Sequence, residues 1–213
     1  MTAVTSVVLA GVTKRFGATM ALRGVDAVFP ASEVAVVVGP NGSGKSTLLG
    51  AIAKTLQPTA GTVEYRPLTD EMAVRGEIGL LSHDTLAYAD LSGRANIEIA
   101  GEIQGLNGHD AWERAKVAFE LGSFAERPVR TNSRGQRQRI ALARALVHEP
   151  SVVLLDEPTT GLDGAGVERL LRVVDNCQAR GAVVIVVTHD ADVFSGVCAS
   201  VWKMDRGKLH RFT

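Results

Sequence analysis

The chain has 213 residues, which is enough for one domain with a hydrophobic core of its own. Apolar residues make up 46% and charged residues 22% of the sequence, a globular composition rather than a disordered one. Basic and acidic residues both number 23, so the formal net charge is zero. Because nucleic-acid-binding domains are usually strongly basic, this balance argues against a polyanion as the main partner.

The apolar runs are too short to cross a membrane. The longest are VAVVV (34–38), VVLL (152–155) and AVVIVV (182–187), whereas a spanning helix needs roughly 20 residues. No basic residue precedes the first apolar stretch, so we expect no signal peptide. Cys177 and Cys198 lie far apart without metal-ligand spacing, and we expect them to be reduced thiols in a cytosolic protein.

The first third of the chain predicts strands followed by a loop and a helix. The segments VTSVVLAGVTKRF and ALRGVDAVF mix β-branched residues with turns, which predicts an antiparallel strand pair. VAVVVG followed by GSGKSTLLGAIAKTL predicts a strand, a glycine-rich loop and a helix. IGLLS (78–82) predicts a further buried strand.

The middle of the chain is helical in pattern, and the last third returns to strands. ANIEIAGEIQGL, AWERAKVAFELG and QRQRIALARALVHEP have helical periodicity, and the last helix is predicted to stop at Pro150. VVLLDEP and AVVIVVTHD resemble central parallel strands with functional side chains at their carboxyl ends, joined by a crossover helix in VERLLRVVDNCQARG. These patterns predict an α/β core interrupted by a helical subdomain at about 84–149.

Residues 39–47 read GPNGSGKST and fit the phosphate-loop pattern G-x-x-x-x-G-K-[ST]. The glycines let backbone N–H groups converge on an anion, and the following helix adds its positive N-terminal end. We predict that Lys45 binds the β- and γ-phosphates, that Ser46 binds Mg²⁺, and that Thr47 contacts the α-phosphate.

A second motif, an acidic pair, narrows the chemistry to nucleotide hydrolysis. VVLLDEP places Asp156 and Glu157 at the end of a buried strand. We predict that Asp156 holds Mg²⁺ and that Glu157 acts as the general base that polarises the attacking water.

Four motifs in this order and spacing, GPNGSGKST, SRGQRQRIALARAL, VVLLDEPTTGLD and VVTHD, resemble the ATP-binding subunits of ABC transporters over about residues 7–210. The resemblance implies a phosphate-loop (P-loop NTPase) α/β core with an N-terminal antiparallel β portion and an inserted helical subdomain. It implies one ABC ATP-binding domain over residues 1–213, with the core at 1–83 and 150–213 and the helical subdomain at about 84–149.

The resemblance also implies a role for each motif. An aromatic ring stacks on adenine, the phosphate loop holds ATP and Mg²⁺, a signature loop binds the γ-phosphate of ATP on the opposite subunit, a further aspartate signals between subunits, and a switch histidine contacts the γ-phosphate. The corresponding residues are Phe16 for adenine, Gly39, Pro40, Asn41, Gly42, Ser43, Gly44, Lys45, Ser46 and Thr47 for the phosphates, Ser133, Gly135 and Gln136 for the signature loop, Asp163 for signalling, and His189 as the switch.

Two departures from the family pattern stand out. Arg134 replaces a glycine of the signature, so its side chain either points away from the phosphate or adds a charge to the site. His83 replaces a glutamine that touches Mg²⁺ and faces the membrane subunit. Together with the Leu-x-Tyr-x-x-Leu spacing of 86–91, these features resemble the ATPase subunit of bacterial haem exporters for cytochrome c biogenesis.

The remaining charged and aromatic side chains are expected to be structural. Arg137 and Arg139 are predicted to form a solvated or salt-bridged face and not a nucleic-acid site, because no Phe, Tyr or Trp lies between Phe124 and Phe194 to stack on bases. We expect three histidines at the surface and two tryptophans in packing roles, and no metal cluster: His109, His148, His210, Trp112 and Trp202.

The expected function is therefore ATP hydrolysis coupled to transport at the cytoplasmic face of a membrane. Two copies of the chain would sandwich two ATP molecules, and membrane-spanning subunits would be separate chains. Two alternatives stay open: the same ATPase serving efflux of a lipid, drug or peptide, and a soluble ABC-type switch acting on ribosomes or DNA.

Overall fold

The structure is a computed structural model that describes residues 3–82 and 86–212. Within these residues the strands are β1 Ser6–Phe16, β2 Thr19–Pro30, β3 Glu33–Val38, β4 Ala60–Arg66, β5 Ile78–Leu81, β6 Val152–Asp156, β7 Val183–Val187, β8 Ser200–Asp205 and β9 Lys208–Arg211. The α-helices are α1 Lys45–Ile52, α2 Glu71–Gly76, α3 Gly93–Ile103, α4 Gly108–Ala118, α5 Arg134–Leu146 and α6 Gly164–Ala179.

The N-terminal strands form a three-stranded antiparallel sheet in the order β2-β1-β4. The predicted antiparallel pair is β1 with β2, which confirms that prediction. The sequence did not predict β4. Only one of its seven residues, Tyr65, is buried, and no apolar run marks the strand.

The central sheet has six strands in the order β5-β6-β7-β3-β8-β9. Its first five strands are parallel, and β9 pairs with β8 in antiparallel fashion. Every residue of β6 and β7 is buried, as expected for central parallel strands covered on both faces. The α/β prediction is confirmed, including the crossover helix α6 between β6 and β7.

Alternate residues of β3 face two separate hydrophobic cores. Val34 and Val36 belong to a core that includes Leu170 of α6 and the helices between β5 and β6. Ala35 and Val37 belong to the other core, which includes Leu48 and Leu49 of α1 together with inward side chains of the antiparallel sheet.

Helices α3, α4 and α5 follow one another between β5 and β6 and pack around Ile97, Trp112 and Ile140. A side-chain cap starts each of them, since Ser92, Asn107 and Ser133 accept hydrogen bonds from backbone N–H groups of the first turn. The division of the chain into a core and a helical subdomain at 84–149 stays a prediction.

Helix α5 ends earlier than the sequence predicts, at Leu146 rather than at Pro150. The reason is the backbone of Glu149, which has a φ of 53° and so cannot continue a right-handed helix. Across residues 3–82 and 86–212, no helix combines the length and apolar character that crossing a membrane requires.

Candidate functional site

The phosphate loop connects the end of β3 at Val38 to the start of α1 at Lys45. The Lys45 side chain folds back over the loop, where Nζ donates to the carbonyl oxygens of Gly39 at 2.7 Å and Pro40 at 3.3 Å. Lys45 is only 7% exposed, so its charge lies inside the loop rather than in solvent. Within the loop and the first turn of α1, Pro40, Asn41, Gly42 and Ser46 are exposed and Thr47 is half-buried.

Two neighbouring segments hold this loop from behind. The N–H of Gly207, in the turn between β8 and β9, donates to the carbonyl of Ser43 at 2.8 Å. A Cβ on Gly39 would collide with the Met204 carbonyl, and a Cβ on Gly44 would lie 2.5 Å from the carbonyl oxygen of Ala21. The β8–β9 turn is therefore part of the site's support, although the only sequence signal for it is the Arg-Gly pair at 206–207.

Ser43 carries a buried hydroxyl whose Oγ has no hydrogen-bond partner among the described residues. Ser43 itself is 4% exposed and sits within the glycine-rich loop. Because buried polar atoms are nearly always paired, an orphan hydroxyl in this position fits a loop built to receive an anion.

The acidic pair lies at the carboxyl ends of the central parallel strands, on the same side of the sheet as the phosphate loop. Strand register places Asp156 of β6 beside Val187 of β7, and Val187 beside Val37 of β3. With neighbouring strands about 4.8 Å apart, Asp156 lies about 10 Å from the end of β3. The predicted phosphate and acid motifs are thus brought together.

Glu157 and His189, both predicted to be catalytic, are in direct contact. Nδ1 of His189 lies 2.8 Å from Oε2 of Glu157. An ionised carboxylate only accepts hydrogen bonds, so it fixes the proton on Nδ1 and leaves Nε2 pointing elsewhere. His189 is 73% exposed and the Glu157 side chain 17%, so the pair opens to solvent on the histidine side.

The backbone of Glu157 is unusual for a residue with a side chain. Its φ is 48°, and its N–H donates to the carbonyl of Val187 at 2.8 Å. Backbone strain of this kind is concentrated at functional positions, where surrounding contacts hold it in place.

Phe16 ends β1 and is 49% exposed. It pairs with Thr19 across the β1–β2 hairpin, and Ala21 of the same hairpin packs against Gly44. The predicted adenine platform therefore lies next to the phosphate loop.

Ser133 is the N-cap of α5 and forms a capping box with Gln136. Its Oγ accepts from the Gln136 N–H at 3.2 Å, and its own N–H donates to Oε1 of Gln136 at 3.0 Å. The cap uses a lone pair of the hydroxyl, so its proton is available for a further acceptor. Gly135 is half-buried in the same turn.

The arginines around this turn do not form the predicted solvated or salt-bridged face. Arg137 donates to the carbonyl of Asn132 at 2.7 Å, and Arg139 donates to the carbonyls of Phe119 and Glu120 beyond the end of α4. Arg139 also lies over the ring of Phe124, 5.0 Å from its centroid. The prediction was wrong because folding brings unpaired backbone carbonyls within reach of both side chains.

Arg134 extends away from the cap and over Gly161. A Cβ at Gly161 would lie 2.7 Å from Cγ and 2.8 Å from Nε of Arg134, so the stem of Arg134 rests directly on that glycine. Gly161 belongs to the loop that leads to Asp163, which caps α6 by accepting from the Gly166 N–H at 2.8 Å.

The remaining predictions concern histidines and tryptophans. Trp112 and Trp202 are buried, as expected of packing residues, and His109 and His210 are exposed. His148, expected at the surface, is half-buried: its Nε2 is buried without a partner among the described residues, and burial lowers its pKa. The prediction for His83 falls outside the described residues.

Oxygen donors suit Mg²⁺, which usually takes one or two protein ligands and completes its shell with phosphate and water. Ser46 at the first turn of α1 and Asp156 at the end of β6 provide such donors at one sheet edge. Within residues 3–82 and 86–212, no group of three His, Cys, Asp or Glu side chains could hold a metal alone. The donor set therefore fits an ion that arrives with a phosphate ligand.

Comparison with known proteins places these features in a family. A family model described as ABC transporter matches residues 22–160. A daunorubicin resistance ATP-binding protein of Streptomyces coeruleorubidus is 34% identical over 211 residues, covering 96% of this chain and 67% of that protein. A glutamine transport ATP-binding protein of Escherichia coli is 32% identical over 208 residues, covering 93% of this chain and 87% of that protein.

Solved structures agree with the sequence comparison. A dimeric bacterial ABC transporter cassette superimposes with a TM-score of 0.86 at 29% identity, covering 96% of this chain and 97% of that one. A dimeric cassette in a post-hydrolysis state with ADP and Pi superimposes with a TM-score of 0.87 at 27% identity, covering 97% and 99%. The predicted phosphate-loop ABC fold is confirmed by these likenesses.

Proposed function

This chain belongs to the ABC transporter family as an ATP-binding and ATP-hydrolysing subunit, and we propose that its hydrolysis drives transport through membrane-spanning subunits on separate chains. The mechanism rests on the contact between Glu157 and His189. This contact lies at the carboxyl ends of the central parallel strands, where β3 leads into the phosphate loop. It supports Glu157 as the general base and His189 as its neighbouring imidazole at the proposed anion site.

In the proposed mechanism, ATP binds with its phosphates in the loop of residues 39–47 and its base against Phe16. The Lys45 ammonium exchanges its carbonyl partners for phosphate oxygens and stabilises charge on the γ-phosphate. Glu157 polarises the water that attacks in line, and His189 contacts the γ-phosphate. Ser46 and Asp156, and by sequence His83, would hold Mg²⁺, which neutralises phosphate charge when bound.

Two copies of the chain complete the site. Each copy has one phosphate loop and one Ser133 cap, and the Ser133 hydroxyl has a proton to donate to a phosphate oxygen. The similar bacterial cassette is dimeric, which supports the same arrangement for this chain. We therefore place Ser133, Gly135 and Gln136 of one copy against the γ-phosphate held by the other, with Asp163 near the junction.

This subunit would lie at the cytoplasmic face of the membrane, bound to the membrane-spanning subunits. The sequence pattern at 82–91 and 133–139 supports haem as the substrate, exported for cytochrome c biogenesis. The named relatives serve other substrates, including a drug, glutamine, molybdenum and iron, so they do not support haem in particular. Purification with membrane subunits from detergent extracts, followed by ATPase assays with haem and with other candidate substrates, distinguishes these possibilities.

The experiment that tests the site combines two substitutions. Glu157→Gln keeps the shape of the side chain but removes the basic carboxylate, and loss of a general base costs about 10²–10⁴ in rate. Bound ATP then persists, and the variant should elute as a dimer with Mg-ATP and as a monomer without it. Adding Ser133→Arg places bulk and charge at the cap and should restore the monomer.

Size-exclusion chromatography with light scattering measures both states. Thr62→Arg in the Glu157→Gln background is the matched control, because Thr62 is exposed on the antiparallel sheet and β4 forms its edge. This control should remain dimeric with Mg-ATP. A Glu157→Gln, Ser133→Arg protein that still dimerises would show that the α5 cap is not the contact to the second ATP.

A further inference from the structure

Phe16 does not stand alone at the end of β1. The ammonium of Lys14 lies over its ring, with Nζ 5.1 Å from the centroid. The same Nζ donates to the carbonyl of Gln57 at 2.7 Å. Lys14 therefore joins the aromatic ring to a fixed point on another part of the chain.

The backbone around this pair is also anchored. The N–H of Arg15 donates to Oγ1 of Thr59 at 3.1 Å, and the N–H of Thr59 donates to the carbonyl of Thr13 at 2.7 Å. Residues two apart on a strand share a face, which is why Lys14 reaches the ring of Phe16. The cation, the ring and the Gln57 segment thus form one connected unit.

The position of Gln57 shows at which end of α1 Lys14 is anchored. Gln57 follows the C-terminal end of α1, whereas the phosphate loop is at the N-terminal end. A helix of this length separates its two ends by about 12 Å. The carbonyl that anchors Lys14 therefore follows the end of α1 that is away from the phosphate loop, and Phe16 itself is 49% exposed.

We propose that Lys14 is a positioning residue for nucleotide-base recognition: anchored on Gln57, it holds one face of Phe16 so that the other face stacks on the adenine of bound ATP. The proposal rests on the proposed function, in which Phe16 is the adenine platform. A ring already ordered before binding does not have to be immobilised when the base arrives, so more of the stacking energy contributes to affinity.

The contribution should appear in the part of the affinity that depends on the base. A cation over an exposed aromatic ring contributes about 0.5–1 kcal/mol, which corresponds to about a two- to five-fold change in dissociation constant. Inorganic tripolyphosphate has the phosphates of ATP without its base. The informative quantity is therefore the ratio of ATP affinity to tripolyphosphate affinity, each measured by calorimetry with Mg²⁺.

The test compares four variants with the wild-type chain. Lys14→Met keeps an apolar stem and removes the cation, and it should lower the ATP-to-tripolyphosphate ratio about two- to five-fold. Lys14→Arg retains a cation and a donor and should restore the ratio. Lys54→Met removes a lysine that lies 5.6 Å from the centroid of the Tyr65 ring, so it controls for loss of a cation–aromatic pair elsewhere. Phe16→Ala should lower the ratio more than any of these.

The outcomes separate this inference from the assignment on which it rests. A ratio that falls with Phe16→Ala but not with Lys14→Met would overturn the role of Lys14 and leave the platform intact. A ratio unchanged by Phe16→Ala would overturn the platform and with it the inference. A tighter ATP complex in Lys14→Met would mean that Lys14 covers the face that the base uses, which also overturns it.

Discussion

At Gly44, in the phosphate loop, both the backbone angle and the surrounding atoms demand glycine. Its φ is 113°, and a Cβ there would lie 2.5 Å from the carbonyl oxygen of Ala21 and 2.9 Å from Cε of Met204. The methionine can move, but the carbonyl belongs to the backbone of β2. Gly44→Ala must therefore either strain the loop or displace it from the hairpin.

Gly42 separates the two costs. Its φ is 77°, and a Cβ built on it meets no protein atom within 4 Å. Gly42→Ala should lose about 1–2 kcal/mol of unfolding free energy from backbone strain alone. Gly44→Ala adds a collision, and overpacking of this kind costs about 1–3 kcal/mol more. The expected total loss for Gly44→Ala is about 2–5 kcal/mol.

Urea denaturation of the nucleotide-free chain measures both losses, provided that the two variants unfold with the same m-value. Mg-ATP titration of each folded variant then shows whether the loop still binds. Equal losses of unfolding free energy in Gly42→Ala and Gly44→Ala would refute the reasoning, because the Ala21 carbonyl would then exert no constraint on the loop.

Two further predictions concern single side chains. Lys45→Ala removes the cation inside the loop and should weaken Mg-ATP binding and abolish hydrolysis; calorimetry and turnover that both match the wild type would exclude this site. Burial lowers the pKa of His148 below its ordinary value of 6.5, so below about pH 6.5 the unfolded chain takes up a proton that the folded chain resists. Stability should therefore fall with decreasing pH, and His148→Gln should reduce the fall in urea denaturation between about pH 7.5 and 5.5. Parallel pH profiles for the two proteins would contradict this.

Those elements that combine an unbroken apolar run with a marked end were predictable from the sequence. β3, β6 and β7 are such strands, and each ends in glycine or in functional polar residues. β8 and β9 were not predicted, because both are short and neither contains a continuous apolar run. Their importance lies in a contact, the Gly207 N–H to Ser43 carbonyl bond, and local patterns do not encode that contact.

The same limit applies to the side chains of the site. The sequence identified Glu157 and His189 separately, but their contact depends on the register between β6 and β7. The partners of Arg139 are carbonyls beyond the end of α4, and they come within reach only when α4 and α5 are folded. The burial of His148 likewise depends on its surroundings in the fold rather than on its neighbours in sequence.

The turn that caps α5 and the loop that follows Glu157 are joined within one chain. Nε2 of Gln138 donates to the carbonyl of Pro158 at 3.1 Å, and the stem of Arg134 rests on Gly161. Pro158 is the next residue after Glu157. In a two-copy assembly, movement of the α5 cap toward the γ-phosphate bound by the other chain would also move this loop, or it would break the hydrogen bond between Gln138 and Pro158. If Glu157 and the α5 cap act as proposed, the contacts of Gln138 and Arg134 would couple the general base of one ATP site to the phosphate contact of the second.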